Sequence, residues 1–229
     1  MKDTEFKKKV YIVIAAYNEG TSIGNVIASL QKEKYIEIIV VDDGSKDDTS
    51  QKAKGAHVLR HIINRGQGAA LQTGITYALS LGAEYIVTFD ADGQHDPKEI
   101  VTLVTPLLNN EADVCLGSRF LNTHSNVPLL RGLLLKAGVL LMFIMYGIRL
   151  TDSHNGFRSF TRKAAKKIEI TADRMEHASE ILDEIMRNTL KYKEIPVTIT
   201  YTTYSLQRGQ SSWNALNIAY KMIRNKLWR

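Results

Sequence analysis

The sequence predicts an α/β protein: a mostly parallel twisted sheet flanked by helices, with an amphipathic helix at the C-terminus. Three observations point there. Short β-rich runs alternate with helical stretches through the first half of the chain. Some runs are apolar throughout, as in Ile38-Ile39-Val40-Val41, which suits strands buried on both faces. Each run also ends in a polar cluster, and open α/β sheets bind ligands beyond the carboxyl ends of their strands.

In order, Val10 to Ala16 reads as strand, Thr21 to Lys32 as helix, Glu37 to Asp42 as strand and Asp47 to Lys54 as helix. Gly68 to Leu81 reads as a further helix and Tyr85 to Asp90 as a strand. The polar clusters that close the strands are Tyr17-Asn18-Glu19, Asp42-Asp43-Gly44-Ser45 and Asp90-Ala91-Asp92. They are expected to meet at one edge of the sheet.

With 229 residues, 44% of them hydrophobic, the chain can bury a large core, and a single domain spanning 1–229 is expected. No repeat, low-complexity segment or long linker divides it. The only cysteine, Cys115, sits in the apolar run Ala112 to Leu116, reads as a small core residue, and can form no internal disulfide. Met1 to Lys9 is charged and the apolar stretch after it is short, so no secretory signal is read and a cytoplasmic protein is expected.

The net charge of +6 is uneven. Ile195 to Arg229 holds five basic residues and no acid, and Val114 to Thr151 holds four, again with no acid. Such segments suit an anionic partner: a membrane surface, a phosphorylated substrate or nucleic acid. No nucleic-acid-binding module is recognisable, so nucleic acid is set aside. Arg65-Gly66-Gln67-Gly68-Ala69-Ala70 has glycines wrongly spaced for a dinucleotide fingerprint or a Walker loop, which argues against a dehydrogenase or P-loop enzyme.

Asp90 and Asp92 flank one small residue where a strand gives way to a turn at Gly93, so both carboxylates can approach one point. Hard oxygen ligands of this kind suit Mg²⁺ or Mn²⁺, whose shell substrate phosphates can complete. Taken alone, the pattern also fits a plain turn with a helix starting at Asp96-Pro97. The adjacent carboxylates of Asp42 and Asp43 repel unless they find donors, and a base or ribose offers them. Ser45 and Asp47 read instead as turn or capping residues.

Ala15-Ala16-Tyr17-Asn18-Glu19, Val41-Asp42-Asp43-Gly44-Ser45, Asn64 to Ala70, Asp90 to His95, Gly117-Ser118-Arg119 and Asp152 to Arg158, in that order, resemble family 2 glycosyltransferases, particularly their dolichyl- or polyprenyl-phosphate sugar transferase branch. The resemblance spans nearly the whole chain. It implies a GT-A fold, inversion at the anomeric carbon, a nucleotide-sugar donor (UDP- or GDP-linked) and a divalent metal, Mg²⁺ or Mn²⁺. By motif match, Ala15, Tyr17, Glu19, Val41, Asp43 and Gly68 would serve the nucleotide, with Asp90 and Ala91 near its ribose. Asp90, Asp92 and Gln94 would hold the metal, and Arg119 and Arg208 would sit at the donor and acceptor phosphates. Residues 1–112 would form the donor half and 113–229 the acceptor half. Ala15 stands where the family usually has proline.

The acceptor sets the mechanism. A polyprenyl phosphate is already an anion and attacks without a base, whereas a glycan hydroxyl needs a carboxylate in reach, for which Asp152, Glu176 and Glu180 are the candidates. A nucleotide-sugar-binding scaffold without turnover is the remaining reading. Ala137 to Ile148 is a run of twelve uncharged residues, shorter than the roughly 20 a membrane span needs. Beside Arg131 and Lys136, it suits a helix lying among lipid headgroups. Trp213 to Arg229 reads as a second basic amphipathic helix. Peripheral contact with the inner face of the cell membrane, a small membrane partner protein and a homodimer contact are all compatible with these stripes. His95 is expected beside the metal; His154 and His177 read as surface or loop residues.

Overall fold

The computed structural model describes residues 6–121 and 129–200. The second amphipathic stretch and Arg208 therefore lie outside the described residues. Among these, Val10–Ala16 (β1), Ile38–Asp42 (β2), His57–Arg60 (β3), Tyr85–Thr88 (β4), Val114–Ser118 (β5), Arg158–Thr161 (β6) and Tyr192–Pro196 (β7) form a seven-stranded sheet ordered β3-β2-β1-β4-β6-β5-β7. β6 pairs antiparallel with both β4 and β5, and the other pairings are parallel.

Side-chain alternation along β1 explains the layers. Val10, Ile12, Ile14 and Ala16 face one side, where α1 (Ile23–Lys32) and α4 (Glu99–Leu108) cover them. Val13 faces the other, under α3 (Gln67–Ser80), with α5 (Leu129–Tyr146), α6 (Arg162–Ala165) and α7 (His177–Arg187) beyond. α1 inserts Ile23, Val26, Ile27 and Leu30 into the first core, each contributing about 1.5–3 kcal/mol by burial. It begins at Ile23, two residues later than Thr21, because the Ser22 hydroxyl is drawn back to Glu19 Oε2 at 2.7 Å and does not cap the helix. α3 lies close on the sheet because Gly74 leaves no side chain against Val13.

Two elements depart from the sequence reading. The helix expected over Asp47 to Lys54 shrinks to one turn, α2 (Thr49–Lys52). β3 had no apolar signature, since it is an edge strand whose His57, Val58 and Arg60 are exposed. α5 runs over 18 residues with Met142 fully buried and Leu133, Leu140, Phe143 and Ile144 exposed. No helix among the described residues is long and apolar enough to cross a membrane.

Candidate active site

Parallel pairing sends the ends of β1, β2, β4 and β5 to one edge of the sheet. Because β6 alone runs the other way, its start, the loop Asp152–Phe157, arrives at that same edge. Five of the six motifs thus meet around the end of β4, and the sixth, Asn64 to Ala70, bridges to them from α3.

At the end of β4 the chain turns at Gly93, whose φ of +76° is the left-handed conformation that glycine takes without strain. Asp92 Oδ1 accepts the Gln94 N–H at 3.0 Å, and Asp90 Oδ2 accepts from His95 Nε2 at 2.9 Å. Burial, then the charge of Asp90 beside it, push the Asp92 carboxyl up to about 6, and Glu19 adds to that push. Burial works against the Asp90 carboxylate too, but the hydrogen bond and charge of His95, helped by His177 and Arg119, outweigh it and hold Asp90 below the usual carboxylate range. A largely buried carboxylate made harder to ionise by the charge of its neighbour is a fitting seat for a divalent cation. No group of three or more His, Cys, Asp or Glu enclosing an ion occurs among the described residues. A cation at Asp90, Asp92 and Gln94 would have to complete its shell with water and ligand oxygens, as Mg²⁺ and Mn²⁺ do. His95 packs edge-on against Phe89 and at a tilt against Phe157, and its buried Nδ1 has no hydrogen-bond partner.

Around this centre, the Asp152–Phe157 loop supplies a buried ion pair. Asp152 Oδ2 accepts from Arg119 Nε at 2.6 Å and from the Arg119 N–H at 3.2 Å, and Oδ1 accepts the His154 N–H at 3.3 Å. Glu194 on β7 holds the loop by accepting the N–H groups of Thr151 and Asp152. Arg158, also buried, donates to the carbonyls of Ser153, Asn155 and Ala178, and burial lowers it to about 10.

Asp43 lies on the opposite flank, and its carboxylate is occupied by the chain itself. It accepts from His61 Nδ1, from the Arg65 N–H and from the Gly66 N–H. Asp42, beside it, accepts from the Ser45 N–H and the Ser50 hydroxyl. The donors that relieve this acidic pair are internal. Ser45 ties the β1 loop by accepting the Asn18 N–H at 2.9 Å, and so is no helix cap; Asp47 accepts the Thr49 and Gly20 N–H groups.

Several residues named from the sequence turn out to be structural in their side chains. Val41 is fully buried beneath α3, so only its main chain reaches the edge. Gly68 is backed against the Ala172 carbonyl and His177, leaving no space for a Cβ. Glu180 accepts the N–H groups of Thr171 and Ala172 at 3.0 and 2.8 Å, together with the Thr171 hydroxyl, and so anchors the loop that backs Gly66 and Gly68. His177, read as a surface or loop residue, is the buried first residue of α7, with Nδ1 2.7 Å from the Arg174 carbonyl and burial lowering it to about 4. His154 is partly buried beside Ser153, and burial lowers it too. Tyr17 is exposed, Ala15 is partly buried, and Ala91 is packed into the core. His61 and Glu194 carried no motif and went unread; their partners are 12 to 43 positions away in the chain.

The sheet, the acidic turn at the end of β4 and the arginines beside it define a GT-A glycosyltransferase. Residues 11–169 match the family described as Glycosyl transferase family 2, and the chain belongs to it. The UDP-N-acetylglucosamine--dolichyl-phosphate N-acetylglucosaminyltransferase of Methanococcus voltae is 35% identical over 96% of this chain and 97% of its own length. The polyprenol monophosphomannose synthase of Mycolicibacterium smegmatis is 27% identical over 96% of this chain and 87% of its own. These names bear out the resemblance to the polyprenyl-phosphate branch. Glucosyl-3-phosphoglycerate synthase from Mycobacterium tuberculosis, solved with Mn²⁺, UDP-glucose and phosphoglyceric acid, superposes with a TM-score of 0.74 at 19% identity, over 96% of this chain and 79% of that one.

Proposed function

We propose that this chain is an inverting transferase that moves a sugar from a nucleoside-diphosphate donor to a polyprenyl phosphate. The observation that carries the choice of acceptor is the state of Asp152 and Glu180, two of the three carboxylates offered as bases. Asp152 is spent on Arg119, and Glu180 on the Thr171–Ala172 backbone. A phosphate acceptor needs neither, because it is already ionised. The names of the Methanococcus and Mycolicibacterium relatives support the same reading.

In this reading residues 1–112 hold the donor and 113–229 the acceptor within one domain. Tyr17, Glu19, Asp43 and the main chain at Ala15, Val41 and Ala91 line the nucleotide. Asp90, Asp92 and Gln94 hold Mg²⁺ or Mn²⁺, which neutralises the charge on the departing diphosphate. Arg119, fixed in orientation by Asp152, faces the phosphates with a planar fork, and Arg208 is assigned to the same task from the sequence. Phe89, Phe157 and Ala91 exclude water beneath the acidic turn. The exposed Leu133, Leu140, Phe143 and Ile144 of α5, near Lys136, suit attachment at the inner face of the membrane, where the acceptor resides.

The test is direct. The protein is incubated with Mn²⁺, a panel of UDP- and GDP-sugars and either undecaprenyl phosphate or an oligosaccharide. A lipid-linked sugar is expected, and transfer only to the oligosaccharide would sink the reading. A glycan-hydroxyl acceptor would instead require Asp152 or Glu180 as base; turnover kept in both amide variants would count against that second version.

A further inference from the structure

We propose that His61 sets which nucleobase the donor pocket takes, favouring an edge with one ring N–H between two carbonyls, as in uracil, over the two-donor edge of guanine. The inference rests on the reading of Asp43 as the partner of the base. His61 follows β3 directly, and its backbone N–H is fixed on the Asp42 carbonyl at 2.9 Å. Its Nδ1 lies 2.7 Å from Asp43 Oδ1 and its Nε2 3.0 Å from Thr73 Oγ1. A carboxylate can only accept, so Nδ1 carries the proton it donates to Asp43. On the far side of the ring the Thr73 hydroxyl, itself 2.9 Å from the Ala69 carbonyl, steadies Nε2.

A carboxylate offers about four acceptor positions. Asp43 uses two at Oδ1, for His61 and for the Arg65 N–H at 3.0 Å, and one at Oδ2, for the Gly66 N–H at 2.6 Å. One position remains, on Oδ2. The lone ring N–H of uracil needs one. Guanine presents N1–H and its exocyclic amine side by side and needs an acceptor on each oxygen. With Oδ1 filled, one guanine donor would be desolvated and left unpaired, a penalty of the kind that gives sites built on hydrogen bonds their selectivity. The carboxylate cannot swing to relieve this, since its side chain is 4% exposed and Gly66 is backed tightly against the Asp173 carbonyl.

Calorimetric titration of the full chain with UDP and with GDP, in Mn²⁺, reads this out. UDP is expected to bind at least about tenfold more tightly than GDP. In His61→Ala, with folding checked by circular dichroism, that ratio should collapse to about threefold or less, as Oδ1 is freed. His61→Gln, whose amide can still donate, should restore it. Thr73→Val, which removes the hydroxyl steadying Nε2, should give an intermediate ratio and serves as the reporter if His61→Ala does not fold. A residue that mattered only for folding would weaken both nucleotides together, so an unchanged ratio in His61→Ala and Thr73→Val overturns the proposal. Wild-type binding that favours GDP overturns it while leaving the donor site standing. Binding of neither nucleotide overturns this inference and the donor-site reading together.

Discussion

Gly156 lies so near Asp90 that a Cβ on it would stand 2.7 Å from Oδ1 and 2.9 Å from Oδ2. Its carbonyl in turn accepts from the Thr88 hydroxyl at 2.6 Å, which pins the loop to β4. The position of the first carboxylate is therefore set by a residue of the acceptor-side loop. Gly156→Ala should push Asp90 aside while leaving the sheet intact, and displacements of about 1 Å at a reacting centre cost on the order of 10²-fold in rate. The expected result is that loss in turnover with a native far-ultraviolet spectrum, measured by sugar transfer and circular dichroism on one preparation. The turn that presents Asp90, Asp92 and Gln94 was legible in the sequence because the three follow one another along it. The jobs of Glu180 and Asp152 were not, because their partners are backbone N–H groups and an arginine brought in by folding.

Among the elements, those buried on both faces announced themselves. β2 is five apolar or site residues, all buried, and its signal is compositional. β3 depends on its neighbour: it is a strand because β2 offers it a ladder, and nothing in His57-Val58-Leu59-Arg60 says so alone. α5 was half legible. Its uncharged stretch was plain, yet only the structure separates buried Met142 from the outward Leu140 and Ile144. If that outward face meets lipid, Leu140→Glu with Ile144→Glu should abolish sedimentation with anionic vesicles. Exposed positions of this kind change stability by only about 0.5 kcal/mol each. Unaltered vesicle binding by the double variant would refute attachment through this face.

At the scale of the molecule, the buried histidine beneath the site couples folding to acidity. The His177 imidazole is held to about 4 by burial, below an ordinary value of 6.5, so the folded state takes up its proton less readily than the unfolded chain. Its contribution is complete above about pH 6.5 and is lost as pH falls from there toward 4. Asp92, raised to about 6, has the opposite sign over part of that range, so the comparison must be made against a variant. Between pH 7 and pH 5, the wild type should lose about 2 kcal/mol more than His177→Gln in urea unfolding. Equal pH slopes for the two proteins would refute the assignment.

The reversed strand, β6, also governs the order in which the molecule can assemble. Residues Arg158–Thr161 wedge between Tyr85–Thr88 and Val114–Ser118, so the free edge of β4 stays open until the chain has passed through α5 and come back. On a ribosome, some seventy residues are made between the first of these strands and its permanent neighbour. During that interval β1, β2 and β4 can assemble, but with an apolar border exposed to any other extended segment. Closing the sheet is a long-range event, slow by the usual relation between rate and sequence separation. It is also the event that carries Gly156 under Asp90, so the acidic turn takes its working shape in the same step that seals the sheet.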